Sequence, residues 1–425
     1  MPELERTLET KLIEQLTQGV SQWTYCPELN TEEKLWANLR QIIESNNRDK
    51  LQEMPLSNQE FEQVKNQLSF SSFYNAAEWI IGENGKAYVH VQRGNETLHL
   101  LVLNRAHVTG GTSVYQVINQ CQTFKDEDNP TESRARRFDV TLLINGLPLI
   151  HIELKNRQHS YKEAFRQIVK YAKEGQFTGI FSTIQMFVVS NDVDTKYIAA
   201  ARSDELNDKF LSGWVDAENK AVPGLFDFAK TVLRIPEAHE MITQYTVLDK
   251  EKERIILLRP YQIHAIEAIR AASKRGVSGF VWHTTGSGKT LTSYKAARNL
   301  LQDIPSIEKT IFLIDRKDLD QQTTSAFQSY AENDVVDVDD TENVKELIKK
   351  LQDPTKEMIV TTRQKIQHMI RRLEEKTDSA VYKRIMNLRV AFVVDECHRA
   401  VSPETKRKME QFFRQSLWLS FFRWF

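Results

Sequence analysis

The segment GFVWHTTGSGKTLTSYKAARNLL, residues 279–301, constrains this chain more than any other stretch. A short strand-like run, Phe280 to His283, meets a loop with two glycines, and a helix-forming stretch opens at Lys289 and Thr290. Such a junction is a cradle for phosphate. Gly286 and Gly288 let the backbone turn tightly and present N–H groups to oxygens. The helix N-terminus adds a favourable dipole and unpaired donors. Thr285, Gly286, Ser287 and Gly288 are expected to wrap the phosphates. Lys289 would neutralise the β- and γ-phosphates and Thr290 would ligate Mg²⁺, so ATP and Mg²⁺ are the expected cofactors. The strict phosphate-loop pattern has a glycine where this chain has His283.

A second element supports the first. In LRVAFVVDECHRA a buried apolar strand, Val390 to Val394, ends in Asp395 and Glu396. Parallel sheets bind ligands at the C-terminal ends of their strands. Asp395 is expected to hold Mg²⁺ through water and Glu396 to polarise the attacking water. The Thr-Gly-Ser-Gly-Lys-Thr form is similar to that of superfamily-two helicases. The Asp-Glu-Cys-His string resembles the DEAD/DEAH-box group, which implies that His398 couples nucleotide state to nucleic acid. LRPYQIHAIEAI resembles the segment that sets a glutamine, here Gln262, against the adenine edge. IFLIDRKDL and IVTTRQK resemble the strand-loop motifs that touch the DNA backbone, with Arg316, Lys317 and Thr361 as the residues concerned.

Around these motifs, GFVWHT, IFLID, EMIVTT and VAFVVDE alternate with helical stretches, which predicts a parallel sheet with helices on both faces. The upstream region reads differently. Residues 1–60 look helical, with Leu8, Leu12 and Leu16 on one face. Residues 61–215 hold short strand-like runs: KAYVHVQ, TLHLLVL, VTLLI, LPLIHIEL and QMFVVS. The helical stretch SYKEAFRQIVKYAKEG separates the last two, with Ser160 and Glu163 as a capping-box signature and Gly175 as its stop. Residues 216–255 are polar and loosely patterned and read as a linker. Residues 256–425 form the nucleotide-binding domain.

The upstream domain carries a second constellation in RRFDVTLLINGLPLIHIELKNR. Asn145-Gly146 signals a hairpin. On the returning strand Glu153 and Lys155 share one face. Two carboxylates and a lysine on neighbouring strands suit a metal-dependent phosphodiesterase. Asp139 and Glu153 would bind Mg²⁺ through hard oxygen ligands, and Lys155 would orient the water or help deprotonate it. A regular two-residue hairpin sets Asp139 opposite Ile152, on the wrong face. A bulge or one extra loop residue sets it opposite Glu153, and that irregularity is expected. Gln167 and Tyr171 follow one turn apart on the capped helix. This Gln-x-x-x-Tyr element resembles the one in nucleases of the RecB type. Arg134, Arg136 and Arg137 are candidates for a phosphate clamp.

In combination these strings resemble the restriction subunit of type I restriction-modification enzymes. FDVTLLINGLPLIHIELKN, EAFRQIVKY, FVVSN, LRPYQIHAIEAI, WHTTGSGKT and VVDECHR stand in family order across about residues 60–420. The resemblance implies an α/β chain: a PD-(D/E)xK-type nuclease domain followed by one RecA-like parallel-sheet helicase domain. It implies ATP-driven translocation of double-stranded DNA and cleavage at a distance from the recognised site, in complex with methylation and specificity subunits. The family's Gly-Phe-Thr-Gly-Thr-Pro strand end is replaced here by QSLWLS and the aromatic tail Phe421 to Phe425, for which the sequence offers no partner surface. A truncated or frameshifted subunit is therefore expected. The alternatives are a DNA-repair nuclease-helicase and an inactive remnant that only binds DNA or nucleotide.

Composition narrows the setting. The 57 Lys and Arg against 58 Asp and Glu leave a net charge of −1, so DNA contact must come from local patches or from partners. Cys26, Cys121 and Cys397 are few and widely spaced, which fits a reducing cytoplasm without zinc spacing. The N-terminus lacks a signal-peptide pattern, and no apolar run reaches the roughly 18 residues that span a bilayer. A cytoplasmic location, with no membrane contact, is expected.

Overall fold

The computed structural model describes all residues except 1–2, 20–21, 83–84, 109–112, 124–135, 285–286, 315–328, 331–337, 341–342, 356, 396–400 and 425. The chain forms two compact units, residues 1–248 with 252–260, and residues 249–251 with 261–425.

The first unit opens with helix α1 (Glu3–Thr17), strand β1 (Thr24–Tyr25) and helices α2 (Glu32–Asn46), α3 (Arg48–Leu51), α4 (Asn58–Leu68) and α5 (Phe73–Ile81). Leu8, Leu12 and Leu16 of α1 are buried, as their spacing predicts. Strands β2 (Lys86–Arg93) and β3 (Glu96–Asn104) pair as a hairpin. Strands β4 (Tyr115–Gln122), β5 (Arg137–Ile144), β6 (Leu147–Leu154), β7 (Met186–Ser190) and β8 (Thr195–Ala199) join β1 in a six-stranded sheet of order β1-β4-β5-β6-β7-β8. Helix α6 (Tyr161–Lys173) connects β6 to the parallel β7.

Every residue of β6 is buried, because it lies inside the sheet and both α1 and α6 pack on it. A near-continuous apolar run suits such a strand, so the one carboxylate within it, Glu153, stands out. The Ser160 hydroxyl caps α6 by accepting the Lys162 N–H, while Glu163 turns to His159 at 2.9 Å instead of closing the expected box. Gly175, at φ 67°, follows the helix end.

Residues 216–255 are not the linker their composition suggests. Strands β9 (Trp214–Val215) and β10 (Ala221–Val222) pair, helix α7 (Leu225–Phe228) runs into a π-turn over Ala229–Leu233, and α8 (Glu237–Thr243) leads to the β11 (Thr246–Asp249) and β12 (Arg254–Leu257) pair. Leu225, Phe228, Val232, Leu233, Met241 and Ile242 are buried. Gln15 and Trp23 donate to the carbonyls of Phe226 and Leu233, both at 2.7 Å. Burial of these helically spaced apolar side chains outweighs the Gly and Pro signals around them.

The second unit is a six-stranded, wholly parallel sheet. Helix α9 (Pro260–Lys274) precedes β13 (Gly279–Thr284), and α10 (Lys289–Asp303) precedes β14 (Lys309–Ile314). Then follow β15 (Val338–Asp340), α11 (Val344–Gln352), β16 (Glu357–Thr362), α12 (Arg363–Glu374), α13 (Ala380–Met386), β17 (Arg389–Asp395), α14 (Pro403–Phe412) and β18 (Gln415–Trp424). The order is β13-β18-β17-β14-β16-β15.

The aromatic tail therefore does have a partner surface: β18 lies between β13 and β17. Trp418, Leu419 and Phe421 are buried, and Trp418 stacks on Phe392 at 4.5 Å. Burying each such side chain contributes about 1.5–3 kcal/mol. Among the described residues no helix is long and apolar enough to cross a membrane.

Candidate active sites

In the first unit the hairpin sets the geometry. Asn145 and Gly146 take φ 52° and 80°, so both occupy the left-handed region that a two-residue turn requires. Ile144 pairs with Leu147 and Leu143 with Pro148; then the register shifts, and Leu142, Thr141 and Val140 pair with Ile150, His151 and Ile152. This is the expected irregularity. Carried one step further, the shifted register sets Asp139 opposite Glu153. Asp139 Oδ2 accepts the backbone N–H of Leu154 at 2.9 Å.

Both carboxyls are buried, Asp139 at 4% exposure and Glu153 at 0%. Burial raises the Glu153 carboxyl to about 8, against the pull of the Lys155 ammonium. Asp139 is raised by burial and then by the Glu153 charge beside it, while the Leu154 N–H and Lys155 pull it down. Lys155 is half-buried, donates to the Leu154 carbonyl at 3.2 Å, and its charge acts on both carboxyls. Two further carboxylates, Glu5 and Glu9 of α1, are buried and add negative potential at Glu153. Sequence patterning missed them, because only the fold brings α1 to β6.

The residues fit a hard divalent cation. Glu153 Oε1 is buried and has no hydrogen-bond partner, which is costly for a carboxylate unless a cation meets it. Among the described residues no cluster of three or more His, Cys, Asp and Glu side chains could hold a metal. The two carboxylates would therefore leave the other positions of an ion to backbone, water or substrate.

Gln167 and Tyr171 meet as expected. Gln167 donates to the Tyr171 hydroxyl at 2.5 Å, and that hydroxyl donates to the Arg137 carbonyl at 3.4 Å. Burial and then the Glu153 charge push the Tyr171 phenol up. Of the three candidate clamp arginines, one is engaged within the protein. Arg136 binds Glu174 through Nε and Nη2 at 2.8 and 2.6 Å, so its fork is already filled. Arg137 is exposed, and Arg134 lies outside the described residues.

In the second unit, Gly288 takes φ 78° and opens α10 at Lys289. Lys289 and Thr290 are half-buried in its first turn. His283 Nδ1 lies 2.9 Å from the Ser287 hydroxyl, which donates to the Thr284 carbonyl at 2.8 Å. His283 thus braces the loop where the strict pattern has glycine. Tyr261 donates to the Ser287 carbonyl at 2.7 Å. The buried Gln262 amide donates to the Ser287 and Gly288 carbonyls, both at 3.4 Å, and to the Thr292 hydroxyl at 3.2 Å. Gln262 therefore shapes the phosphate loop itself.

Asp395 ends β17 at the same sheet edge as the loop after β13, with β18 between them. Through Phe421 of β18, Asp395 is level with Val281, and two strand spacings put those two backbones about 10 Å apart. Thr285, Gly286, Glu396 and His398, and likewise Arg316 and Lys317, lie outside the described residues, as does the Asp395 side chain. Thr361 is fully buried, so its side chain is closed to direct DNA contact.

A buried carboxylate pair on a mixed sheet and a phosphate loop on a parallel one define a nuclease-type region joined to a helicase-like ATPase domain. Comparison with known proteins agrees. Residues 2–205 match the family model for the N terminus of type I restriction enzyme R proteins, and residues 261–422 match the SWI2/SNF2 ATPase model. A type I restriction enzyme endonuclease subunit of Staphylococcus saprophyticus is 35% identical over 98% of this chain and 42% of its own length. The EcoprrI endonuclease subunit of Escherichia coli is 30% identical over 62% of this chain and 80% of its own. The C-terminal part of a putative type I endonuclease subunit of Mycoplasma pneumoniae is 32% identical over 47% of this chain and 99% of its own. The chain belongs to the family of type I restriction enzyme endonuclease subunits. It spans 42% of the length of the staphylococcal relative.

Proposed function

We propose that this chain is the nuclease and nucleotide-binding portion of a cytoplasmic type I restriction endonuclease subunit, cutting double-stranded DNA under the control of ATP. The observation that carries the reading is the Asp139–Glu153 pair, buried and facing Lys155, in one chain with a phosphate loop on a parallel sheet. Asp139 and Glu153 would hold Mg²⁺. When bound, the ion supplies charge stabilisation for the phosphate and a lowered pKa for the attacking water. Lys155 orients that water and takes part in moving its proton. Tyr171, held by Gln167, borders the carboxylates and fixes the wall of the site.

In the second unit the loop from Thr285 to Gly288 wraps the nucleotide phosphates, Lys289 neutralises them, and Gln262 sets the loop and the adenine side of the site. Thr290 and Asp395 hold the nucleotide's Mg²⁺, Glu396 orients the hydrolytic water, and His398 passes the nucleotide state to DNA. Recognition of the DNA sequence falls to methylation and specificity subunits, which accords with a chain of net charge −1. The test is an ATPase and plasmid-nicking assay of the full chain with and without those subunits. Mg²⁺-dependent nicking that Glu153→Ala abolishes supports the reading. ATP turnover with no nicking under any combination would sink the nuclease assignment.

A further inference from the structure

One buried side chain beside the carboxylate pair has no part in the reading above. His151 sits two residues before Glu153 on β6, on the same face, and is 0% exposed. Its Nε2 lies 3.2 Å from Glu153 Oε2. Its Nδ1 lies 3.3 Å from the hydroxyl of Thr141, its cross-strand partner. The ring is wedged among Phe138, Phe177 and Phe187, with centroids 4.6, 6.0 and 6.3 Å away. The imidazole has little room to rotate, and both nitrogens face polar atoms.

The two oxygens of Glu153 are therefore unequal. When a cation keeps Glu153 ionised, the carboxylate only accepts, so the imidazole donates from Nε2, while the Thr141 hydroxyl and the Val140 carbonyl hold the ring from the other side. Oε2 is occupied by the histidine. No donor meets the buried Oε1, and the Glu153 carboxyl lies within hydrogen-bond reach of the Asp139 carboxyl. We infer that His151 is a positioning residue that holds Glu153 by Oε2 and leaves Oε1 as the single oxygen offered to the divalent ion. Glu153 then binds in a monodentate manner, with Thr141 fixing the ring. Partners behind metal ligands act in this way, and losing one typically costs 10–100-fold in metal affinity. The inference rests on the proposal that Asp139 and Glu153 take a metal.

The experiment titrates the DNA-free full chain with Mn²⁺ alone and follows binding by calorimetry and by the carboxylate bands of the difference infrared spectrum. Glu153→Gln serves as the control without the ligand. The wild-type chain is expected to show the wide band splitting of a monodentate carboxylate. His151→Ala is expected to weaken Mn²⁺ by 10–100-fold and to narrow that splitting as Glu153 swings to bidentate binding. His151→Gln, whose amide can donate near the same point, is expected to restore most of the affinity. Thr141→Val, which keeps the shape and removes the hydroxyl, is expected to lose several-fold. If His151→Ala unfolds, the glutamine and valine variants still decide the matter. Wild-type affinity and band splitting in the His151 variants would overturn the inference while leaving the metal reading standing. A glutamine variant as weak as the alanine one, with wild-type splitting in both, would reduce His151 to packing. A wild-type chain that ignores Mn²⁺ would overturn the metal reading itself.

Discussion

Asp139 accepts the backbone N–H of Leu154 at 2.9 Å, across the hairpin and past its bulge. This bond ties the proposed ligand to the strand that carries Glu153 and Lys155. It also separates two roles of one side chain. Asp139→Asn keeps an oxygen that can accept from Leu154 but loses the charge a cation needs. Asp139→Ala loses both. The asparagine variant is expected to melt close to the wild type and to bind Mn²⁺ at least tenfold more weakly. The alanine variant is expected to lose a further 1–3 kcal/mol of stability, because a buried N–H is left unpaired. Urea unfolding beside a metal titration checks both, and equal stabilities would count against the structural role.

Glu153 makes stability depend on pH in a direction that a metal reverses. Its folded carboxyl is raised from 4.5 to about 8, by burial first. Between those values the folded state binds more protons than the unfolded one, so stability falls as pH rises. Asp139 is shifted the same way. The metal-free chain is expected to be more stable at pH 5.5 than at pH 8.5. Mg²⁺ or Mn²⁺ should raise the melting temperature mainly at the higher pH, where the carboxylates are ionised. Glu153→Gln should shrink both effects. A metal-free protein that is stabilised between pH 5.5 and 8.5 would contradict the burial argument.

The turn before β6 tests the bulge. Gly146 takes φ 80°, and a Cβ there would meet the Leu39 Cα at 3.0 Å and the Asn38 amide nitrogen at 3.2 Å. Gly146→Ala carries both the left-handed penalty and this crowding, together about 2–3 kcal/mol. Chemical denaturation is expected to show that loss, with weakened metal binding as the register relaxes. A neutral substitution would mean that the turn does not set the register.

The Asp139 register problem could be posed from spacing alone, since side chains alternate strictly and Asn-Gly fixes the turn. The answer, a shift between Leu142 and Leu143, required only local geometry. Glu9 and His151 could not be found that way. Glu9 reaches the site through α1, and His151 reads as one polar residue in an apolar strand until its neighbours are known. Residues 225–242 were hidden for another reason: Pro223, Gly224 and Pro236 signal a loop, while burial of Leu225, Phe228 and Leu233 overrides them. The aromatic tail looked unpartnered because its partners, β13 and β17, come from two other parts of the chain.

Gln262 gives a prediction for the second unit. Its amide bonds two loop carbonyls and the Thr292 hydroxyl, and its Nε2 lies 2.8 Å from where a Gly288 Cβ would be. Gln262→Glu places a carboxylate against carbonyl oxygens and should weaken ATP binding more than Gln262→Ala does. Gly288→Ala should weaken it as well, through the φ of 78° as much as the contact. If the glutamine touched only the base, the adenine-free probe triphosphate would bind all Gln262 variants equally. Weakened triphosphate binding is expected instead.

Lys309 and Glu357 are register partners on β14 and β16, and their side chains meet at 3.0 Å. Lys309 is 1% exposed and Glu357 7%. A buried pair repays its desolvation only while both members are present. Lys309→Met leaves the Glu357 carboxylate without its ammonium and should cost about 3–5 kcal/mol. Glu357→Leu leaves the ammonium stranded and should cost a similar amount. The double variant removes both charges and fills the site with apolar volume. It is expected to recover most of the loss, with a coupling energy well above that of an exposed pair, about 0.2–1 kcal/mol. Urea unfolding of the four proteins completes the cycle. Additive losses in the double variant would show that the two side chains stabilise the sheet independently, through packing alone.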